Sequence, residues 1–250
     1  MTTPARVLIA GESWVTHSIH QKGFDSFTTT EYVEGVDALR SALVAGGYAV
    51  DYQPSHIAMR KFPATAEALA EYSCVILSDI GSNSLLLHPD TFTSSIPRSN
   101  RVRAIADYVR RGGGLVMVGG YLTFQGIDGK GRWHDTAVET VLPVTISATD
   151  DRVEEPSGIQ PTPAPDHEIL AGIMGPWPQL LGYNKVTADA GADVVVTVGP
   201  DPLLVVGEAD AGRAAAFTSD CAPHWAPPPF VAWQHYDRLW TQIVDWVARR

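Results

Sequence analysis

Short apolar runs that alternate with segments of helical periodicity constrain the fold of this chain more than any other feature. Four runs are typical of strands buried on both faces of a sheet, namely residues 6–12, 48–53, 73–79 and 115–120. Segments with helical spacing or helix stop signals lie between them, at residues 32–45, 65–72 and 100–111. This alternation predicts crossover units, and therefore an α/β fold with a mostly parallel sheet and helices on both faces.

The pattern changes after Gly126. Four further runs predict strands, at residues 142–147, 192–198, 202–209 and 212–220. Turn-like residues separate the last three, so we expect antiparallel hairpins added to the sheet in the C-terminal half. The proline-rich residues 156–165 favour a surface loop, and residues 233–248 favour an amphipathic helix. No linker-like segment divides the chain, so we expect one domain over residues 1–250.

Composition narrows the classes of partner. The net charge of −10 argues against a nucleic-acid or anionic-membrane surface. The N-terminal apolar run is too short for a signal peptide and no run has membrane-spanning length, so we expect a cytoplasmic protein. The two cysteines, Cys74 and Cys221, exclude a disulfide scaffold. We expect a small-molecule ligand, no cofactor and no metal, and we keep a homo-oligomer as an open expectation.

Polar and aromatic residues concentrate where predicted strands end. Ligands of open parallel sheets bind outside the carboxyl ends of the strands. Four such ends are GESWVTHSIH (11–20), SDIGSNS (78–84), GGYLTFQG (119–126) and TSDCAPHW (218–225). Together they predict a pocket on one edge of the sheet.

The segment GGYLTFQG resembles the nucleophile elbow of class I glutamine amidotransferases, whose pattern is roughly G-x-C-x-G-x-Q. Gly119 matches the first glycine, Gln125 matches the glutamine, and Tyr121 stands where the cysteine belongs. With GESW, KGFDSF, SDIGSNSLLL, LPV, DRVE, LLGYN and SDCAPHW, nearly the whole chain resembles the glutamine-amidotransferase-like family, and more distantly the ThuA-type proteins. The resemblance implies a flavodoxin-like core.

Three departures from that pattern limit what the resemblance implies. A phenol with a pKa of about 10 is a poor nucleophile at neutral pH, so Tyr121 cannot replace a thiolate. Thr123 stands at the third glycine, and Ala226 stands two residues after His224, where the family places glutamate. The resemblance therefore implies the fold and the pocket but not glutamine hydrolysis. We still expect Tyr121 at the tip of a strained strand-to-helix turn.

Our leading hypothesis is an enzyme of hydrolase or lyase type that acts on a small polar metabolite, such as a sugar derivative or an amide. Tyr121 would donate a proton or bind an oxyanion, and His224 would be the general acid or base, helped by Asp79 and Asp220. The expected substrate-binding residues are Glu12, Ser13, Trp14, Gly120, Gln125 and Trp225. Two alternatives stay open: a non-catalytic ligand-binding or assembly module, and a cysteine-dependent amidotransferase that uses Cys221.

Two further motifs have more than one interpretation. His17 and His20 would share a face if they lay on a helix, and could then hold a divalent metal with Glu12, Asp79 or His224; otherwise they line a loop. Arg152 lies among acidic residues at 150–158, which is typical of a solvated charged turn. The alternative is an arginine that grasps the substrate from a lid.

Overall fold

The computed structural model describes residues 4–164 and 166–250. The strands, in chain order, are β1 Arg6–Gly11, β2 Ser13–Lys22, β3 Asp25–Glu34, β4 Ala49–Gln53, β5 Cys74–Ser78, β6 Gly114–Val118, β7 Val144–Ile146, β8 Arg152–Ile159, β9 Pro161–Pro163, β10 Leu180–Asn184, β11 Val186–Ala188, β12 Asp193–Val198, β13 Asp201–Ala209 and β14 Gly212–Phe217. The helices are α1 Asp37–Ala45, α2 Ser55–Lys61, α3 Ala66–Leu69, α4 Ser82–Leu86, α5 Pro89–Ser94, α6 Arg101–Arg110, α7 Pro228–Val231 and α8 Tyr236–Val247. None of the helices described is long and apolar enough to cross a membrane.

The main sheet has eight strands in the order β4-β1-β5-β6-β14-β13-β12-β9. The first five are parallel to their neighbours, and β13, β12 and β9 extend the sheet by antiparallel pairing. Among the parallel strands the order is 2-1-3-4-5, which is the flavodoxin-like order. The predicted fold class is therefore confirmed, including the antiparallel additions. Because β14 runs parallel to β6, the segment that follows β14 reaches the same edge as those that follow β1, β5 and β6.

Helices cover both faces of this sheet. On one face α1 and α8 pack against the strands through residues such as Leu39, Leu43 and Ile243. On the other face α2, α3 and α6 contribute a second core, with Leu69 and Ile105 fully buried. The strand interiors β1, β5 and β6 are buried on both sides, as their unbroken apolar runs predict.

Several predicted boundaries shift, and one prediction is wrong. The helix predicted for residues 32–45 begins only at Asp37, because residues 32–34 belong to β3. The helix predicted for residues 65–72 shortens to α3, with the Thr65 side chain accepting from the Ala68 N–H. The loop expected over residues 156–165 is instead occupied by the end of β8 and by β9, while Pro165 lies outside the described residues. Both strands pair with partners rather than forming a free loop: Pro156 lies where the β8–β10 register shifts, and Pro161 and Pro163 lie in the edge strand β9.

A long β-hairpin, β2–β3, replaces the loop or helix expected around His17 and His20. The hairpin has ten paired positions, and its chain reverses at Gly23, which has φ of 62°. Successive side chains of a strand point to opposite faces, so His17 and His20, three positions apart, lie on opposite faces of the hairpin. Each ring lies near a threonine of β3, at 3.0 Å from Thr30 Oγ1 and 3.1 Å from Thr29 Oγ1 respectively. The idea that both share one helical face is therefore wrong.

Candidate functional site

A cavity of about 470 Å³ opens at the carboxyl edge of the parallel strands. Its lining residues are Glu12, Trp14, Asp79, Tyr121, Leu122, Ile127, Asp220, Pro223 and His224. They come from the segments that follow β1, β5, β6 and β14, so the strand topology delivers all four ends to one place. The cavity includes the ends of β1 and β5, between which the strand order reverses, and this is where doubly wound sheets bind ligands.

Glu12 is the deepest acidic residue of the cavity, with only 1% of its surface exposed. Ser78 Oγ donates to Glu12 Oε2 at 2.5 Å, and Cys221 Sγ lies 3.6 Å from the same oxygen. Burial, together with the negative charge of Asp79, raises the pKa of Glu12 to about 7. This carboxyl group can therefore gain and lose a proton near neutral pH.

Asp220 lies beside Glu12 and is 5% exposed. Its Oδ1 accepts from the Ala222 N–H at 3.1 Å. Burial raises the pKa of Asp220 well above its usual range, and the charges of Glu12 and Asp79 add to the effect. One ligand atom from each of Glu12, Asp220 and Cys221 lies within 4.8 Å of the others. Two carboxyl groups this close do not both ionise freely, so they titrate as a pair that holds a proton.

Asp79 connects the acidic floor to the segment after β6. Its Oδ1 accepts from the Leu122 N–H at 2.8 Å. A Cβ atom at Gly120 would lie 2.7 Å from that same oxygen, so the position requires glycine for space as well as for its φ of 149°. Burial raises the pKa of Asp79, although the Leu122 N–H and the nearby His224 favour its ionised form. Asp79 thus both faces the cavity and fixes one wall of it.

The turn after β6 is not the strained strand-to-helix elbow that we expected. After β6 ends at Val118, the next helical element is a three-residue 3-10 helix, Ile127–Gly129. Tyr121 is absent from the residues with positive φ, whereas Glu12 and Asp79 have φ values of 47° and 41°. Around the cavity, strained backbone is therefore found at the two carboxylates that follow β1 and β5 and, within this turn, at Phe124 with φ of 51°, and not at the tyrosine.

Buried side chains from a distant part of the chain hold this turn in place. Asp151 accepts from the backbone N–H groups of Gln125 and Gly126, both at 2.8 Å. Asn184 donates to Asp151 at 2.8 Å, and its Oδ1 accepts from the Gly120 N–H at 3.0 Å. These bonds explain why no helix is needed to order the segment. The sequence reasoning missed Asp151 and Asn184, although the family segments DRVE and LLGYN contained them.

An aromatic cluster forms the mouth of the cavity. The ring centroids of Tyr121 and His224 are 4.2 Å apart in an edge-to-face contact, and Trp225 stacks on His224 at 5.5 Å. Glu154, on β8, accepts from Tyr121 Oη at 3.0 Å and from Trp225 Nε1 at 3.0 Å. Burial and the Glu154 carboxylate raise the pKa of Tyr121, so its phenol stays protonated. Sequence reasoning missed Glu154, since nothing in DRVEEPSG distinguishes it from a solvated acid.

Arg152 was expected either in a solvated turn or as an arginine that grasps the substrate, and its position matches neither. It lies on β8 rather than in a free turn, and its guanidinium makes a bidentate contact with Asp150 at 2.7 and 3.0 Å. This pairing lowers the pKa of Asp150 below its ordinary range. The guanidinium also lies 5.3 Å from the centroid of the Tyr121 ring. Arg152 therefore supports the aromatic mouth from outside and is not among the residues that line the cavity.

The structure separates the other expected binding residues into two groups. Trp14 lines the cavity and is 38% exposed. Ser13 and Gln125 do not line it: Ser13 Oγ accepts from the Ser55 N–H at 2.8 Å, and Gln125 Nε2 donates to Ala148 O at 3.1 Å. Both brace the backbone around the site. Gly120 and Trp225 pack behind the lining residues, against Asp79 and Tyr121 respectively.

Both cysteines are buried. Cys74 lies within β5, in the core. Cys221 lies next to Ser78 and Glu12, and burial together with the charges of Glu12 and Asp220 raises the pKa of its thiol well above the usual range. A reactive cysteine needs a lowered pKa, so this environment opposes thiolate chemistry.

Two clusters within residues 4–164 and 166–250 have the ligand types and spacing that could hold a metal ion. One is Glu12, Asp220 and Cys221, and the other is His134, Asp135 and Glu139. Glu139 already accepts from the Asp135 N–H at 2.5 Å and the Ile146 N–H at 2.7 Å, so the second cluster is accounted for as a local turn. His17 and His20 belong to neither cluster.

Comparisons with known proteins agree with this architecture. Residues 6–249 match the family GATase1_like, described as putative glutamine amidotransferase. The chain belongs to this family. Two solved structures are similar to it over almost their whole length, each with a TM-score of 0.94. Cytoplasmic Protein STM3548 from Salmonella typhimurium is 43% identical, with 96% of this chain and 98% of that chain covered. Cytoplasmic Protein STM1381 from Salmonella typhimurium LT2 is 45% identical, with 97% and 99% covered. A search of curated proteins found no match.

Proposed function

We propose that this member of the GATase1_like family is an enzyme of hydrolase or lyase type that acts on a small polar metabolite and does not hydrolyse glutamine. The observation that supports this best is the buried pair of carboxyl groups at the floor of the cavity. Glu12, whose pKa is raised to about 7, lies next to Asp220, whose pKa is also raised well above its usual range. A pair of neighbouring acids that shares a proton can supply both a general acid and a general base at one pH.

The proposed roles follow from a proton that the pair shares. We assign Glu12 as the ionised partner, which takes a proton from the substrate or from an attacking water molecule. Asp220 is the protonated partner in this assignment, and it gives its proton to the leaving group. A substrate in the cavity can reach both, because both groups line it.

The residues at the mouth take supporting roles in this proposal. His224 lines the cavity and offers a second proton acceptor near its opening. The Tyr121 hydroxyl donates a hydrogen bond to Glu154, so we assign Tyr121 to holding His224 in place rather than to nucleophilic attack. Both Salmonella relatives are named cytoplasmic proteins, and we propose the same compartment for this chain.

The experiment is a substrate screen with small amides, glycosides, lactones and hydroxy acids, followed by kinetics of Glu12→Gln and Asp220→Asn. Either replacement removes the proton transfer but keeps the size of the side chain. Asp193→Asn, an exposed carboxylate on β12, is the matched control. We expect the control to keep full turnover and both site variants to lose it.

Three outcomes would decide against the proposal. Full turnover in Glu12→Gln and Asp220→Asn would place the chemistry elsewhere. Ammonia release from glutamine that disappears in Cys221→Ala would establish the cysteine-dependent alternative. Saturable binding of a screened ligand whose bonds stay intact would favour a ligand-binding module.

A further inference from the structure

We propose that the ligand of this cavity carries a positively charged ammonium group attached to an apolar body. This inference rests on the proposed function for the location of the substrate, but it stands on separate observations. The first is charge. The cavity is lined by Glu12, Asp79 and Asp220, and no lysine or arginine is among its lining residues within the described part of the chain. The nearby Arg152 is paired with Asp150. His224, at the mouth, is the one basic side chain among the lining residues described, against three carboxyl groups. A cationic ligand would add the positive charge that the floor lacks.

Free carboxylate oxygens in the floor indicate where the cation binds. Glu12 receives its two side-chain contacts, from Ser78 and Cys221, on Oε2. Its Oε1 accepts no hydrogen bond from residues 4–164 or 166–250. Asp220 accepts the Ala222 N–H on Oδ1, and its Oδ2 is likewise without a donor in those ranges. Both side chains are more than nine-tenths buried and line the cavity. Neither oxygen is among the buried polar atoms that lack a partner, so both are open to solvent and available to a donor of the ligand.

The walls favour an organic cation over a bare metal ion. Trp14, Tyr121 and His224 contribute aromatic rings, and the other wall residues, Leu122, Ile127 and Pro223, are apolar. Aromatic faces attract ammonium groups, most strongly where water is excluded. A hard divalent ion such as Mg²⁺ prefers oxygen ligands and water, and gains nothing from apolar walls. The volume of about 470 Å³ matches cavities that hold small organic molecules.

Binding of such a ligand is linked to protons. A cation beside Glu12 and Asp220 stabilises their ionised forms, so binding lowers their pKa values and releases a proton near neutral pH. By linkage, the amine binds more tightly as the pH rises from about 6 to about 8, provided that the amine itself remains protonated. A neutral ligand would show the opposite trend or none.

The test uses isothermal titration calorimetry with benzylamine as the probe, benzyl alcohol as its neutral analogue and benzoate as its anionic analogue. Titrations at pH 6, 7 and 8, in two buffers of different ionisation enthalpy, count the protons released. We expect benzylamine to bind at least about tenfold more tightly than either analogue, a difference of about 1.4 kcal/mol. Proton release and tighter binding at higher pH are also expected.

Variants and ions complete the test. Glu12→Gln and Asp220→Asn should each weaken benzylamine binding about tenfold or more, whereas Asp193→Asn should not change it. Trp14→Leu leaves every carboxylate in place and tests the aromatic wall in case a floor variant fails to fold. Equal binding of benzyl alcohol, or binding of Mg²⁺, Mn²⁺ or Zn²⁺ without any of benzylamine, would overturn the proposal. Turnover of a neutral substrate without amine binding would overturn this inference while leaving the proposed function intact.

A second inference comes from the distribution of exposed apolar side chains. Thirteen large apolar residues are exposed in the described part of the chain, and ten of them fall in two short segments. The hairpin β2–β3 contains Trp14, Val15, Ile19, Phe24, Phe27 and Tyr32, and the segment from α4 to just after α5 contains Leu86, Leu87, Phe92 and Ile96. Single exposed apolar residues are ordinary, but such concentration marks an interaction surface.

We infer that a second copy of this chain covers these surfaces. An isolated two-stranded hairpin is marginal in water, and this one has apolar residues on both faces, such as Val15 and Ile19 on one and Trp14 and Phe27 on the other. In a two-fold dimer each patch of one copy meets a patch of the other, and the contact is reciprocal. The hairpin of one copy would contact residues 82–96 of the other, and this contact would occur twice in the dimer, so that both apolar segments of both copies are buried. The hairpin spans residues 13–34 and the second segment residues 82–96, which together exceed the roughly 20–30 residues a side of a standard interface.

Light scattering coupled to size-exclusion chromatography tests this inference at about micromolar concentrations. We expect a dimer for the natural sequence and monomers for Ile19→Lys and Phe92→Glu. Met174→Glu is the control, because Met174 is 75% exposed but lies in neither segment. Mixing Ile19→Lys with Phe92→Glu should restore a dimer through the new charge pair. A monomeric natural protein, or a dimer that survives both substitutions, would contradict the inference.

Discussion

Glu12 and Asp220 at the floor of the cavity are shielded from water, whereas His224 at its mouth is exposed and Tyr121 is only partly buried. The floor is charged, and two of its carboxylates, Glu12 and Asp79, lie on strained backbone at strand ends. The mouth is held by ring contacts and by a single shared acceptor, Glu154. The floor therefore has perturbed proton affinities that could serve chemistry, and the mouth has ordinary contacts that could shape access.

The contrast also separates Tyr121 from the acidic groups. Tyr121, which we expect to stand in place of an elbow cysteine, belongs to the mouth. The floor depends instead on residues that follow β1, β5 and β14. The chemistry proposed for the floor therefore does not need a nucleophile at position 121.

The largest expected difference between floor and mouth is in turnover. Glu12→Gln should reduce kcat about 10²–10⁴-fold, which is the usual contribution of a general acid or base. Trp225→Phe, at the mouth, keeps a ring against Tyr121 and should change kcat much less. Steady-state kinetics on the substrate found by screening measures both, and circular dichroism checks that the variants are folded. An equal loss in the two variants would erase the distinction between floor and mouth.

Gly120→Ala tests the contact that joins the two regions. Its Cβ would lie 2.7 Å from Asp79 Oδ1, on a backbone with φ of 149°. We expect a loss of about 1–3 kcal/mol in the free energy of unfolding. Gly175→Ala is the matched control, because Gly175 has φ of 84° but nothing within 4 Å. Urea unfolding of both variants should show the larger loss for Gly120→Ala; equal losses would mean that strain alone, and not Asp79, decides the cost.

The pH dependence of stability should report the raised pKa values of the carboxyl groups at the floor. The pKa of Glu12 is raised to about 7 in the folded chain, against about 4.3 when unfolded. Between these values the folded state binds more protons at Glu12 than the unfolded state does, so the contribution of Glu12 to stability falls as the pH rises through this window and no further above it. Asp220 acts with the same sign.

Thermal unfolding between pH 4.5 and 8 checks this expectation. Glu12→Gln removes one titrating group, so its melting temperature should fall less with rising pH than that of the natural sequence. Asp193→Asn, which lies outside the cavity, should keep the natural slope. If Glu12→Gln follows the same curve as the control, the carboxyl group of Glu12 has an ordinary pKa.

The main sheet could be predicted because each of its parallel strands is marked by residues that are neighbours in the sequence. The buried runs and the glycines that end them determine β1, β5 and β6, and the order of crossovers brings Glu12, Asp79 and Tyr121 to one edge. Asp220 and His224 follow from the same reasoning once β14 is parallel to β6. Each of these placements depends on strand direction alone, and strand direction is the feature that alternation with helices predicts best.

The supporting residues could not be predicted in this way. Glu154 lies on β8, Asp151 is the residue before β8, and Asn184 ends β10. The strands β8 and β10 pair antiparallel in a separate small sheet. Nothing periodic in the sequence indicates that pairing. The hairpin β2–β3 did carry a local signal, since the β-branched and aromatic residues of β3 follow a glycine turn at Gly23. Assigning residues 32–45 to one helix obscured that signal.

The smallest expected effect belongs to the Tyr121 hydroxyl. Tyr121→Phe keeps the ring that contacts His224 and Trp225 and removes only the donor to Glu154. Glu154 retains the Trp225 Nε1 donor, and Tyr121 and Glu154 are partly accessible to water, so the loss should be about 0.5–1.5 kcal/mol in stability. Turnover should fall less than about tenfold, and KM should change more than kcat if the ring only shapes access. A fall in kcat as large as that of Glu12→Gln would show that the Tyr121 hydroxyl takes part in the reaction. The mouth, rather than the floor, would then be the catalytic region.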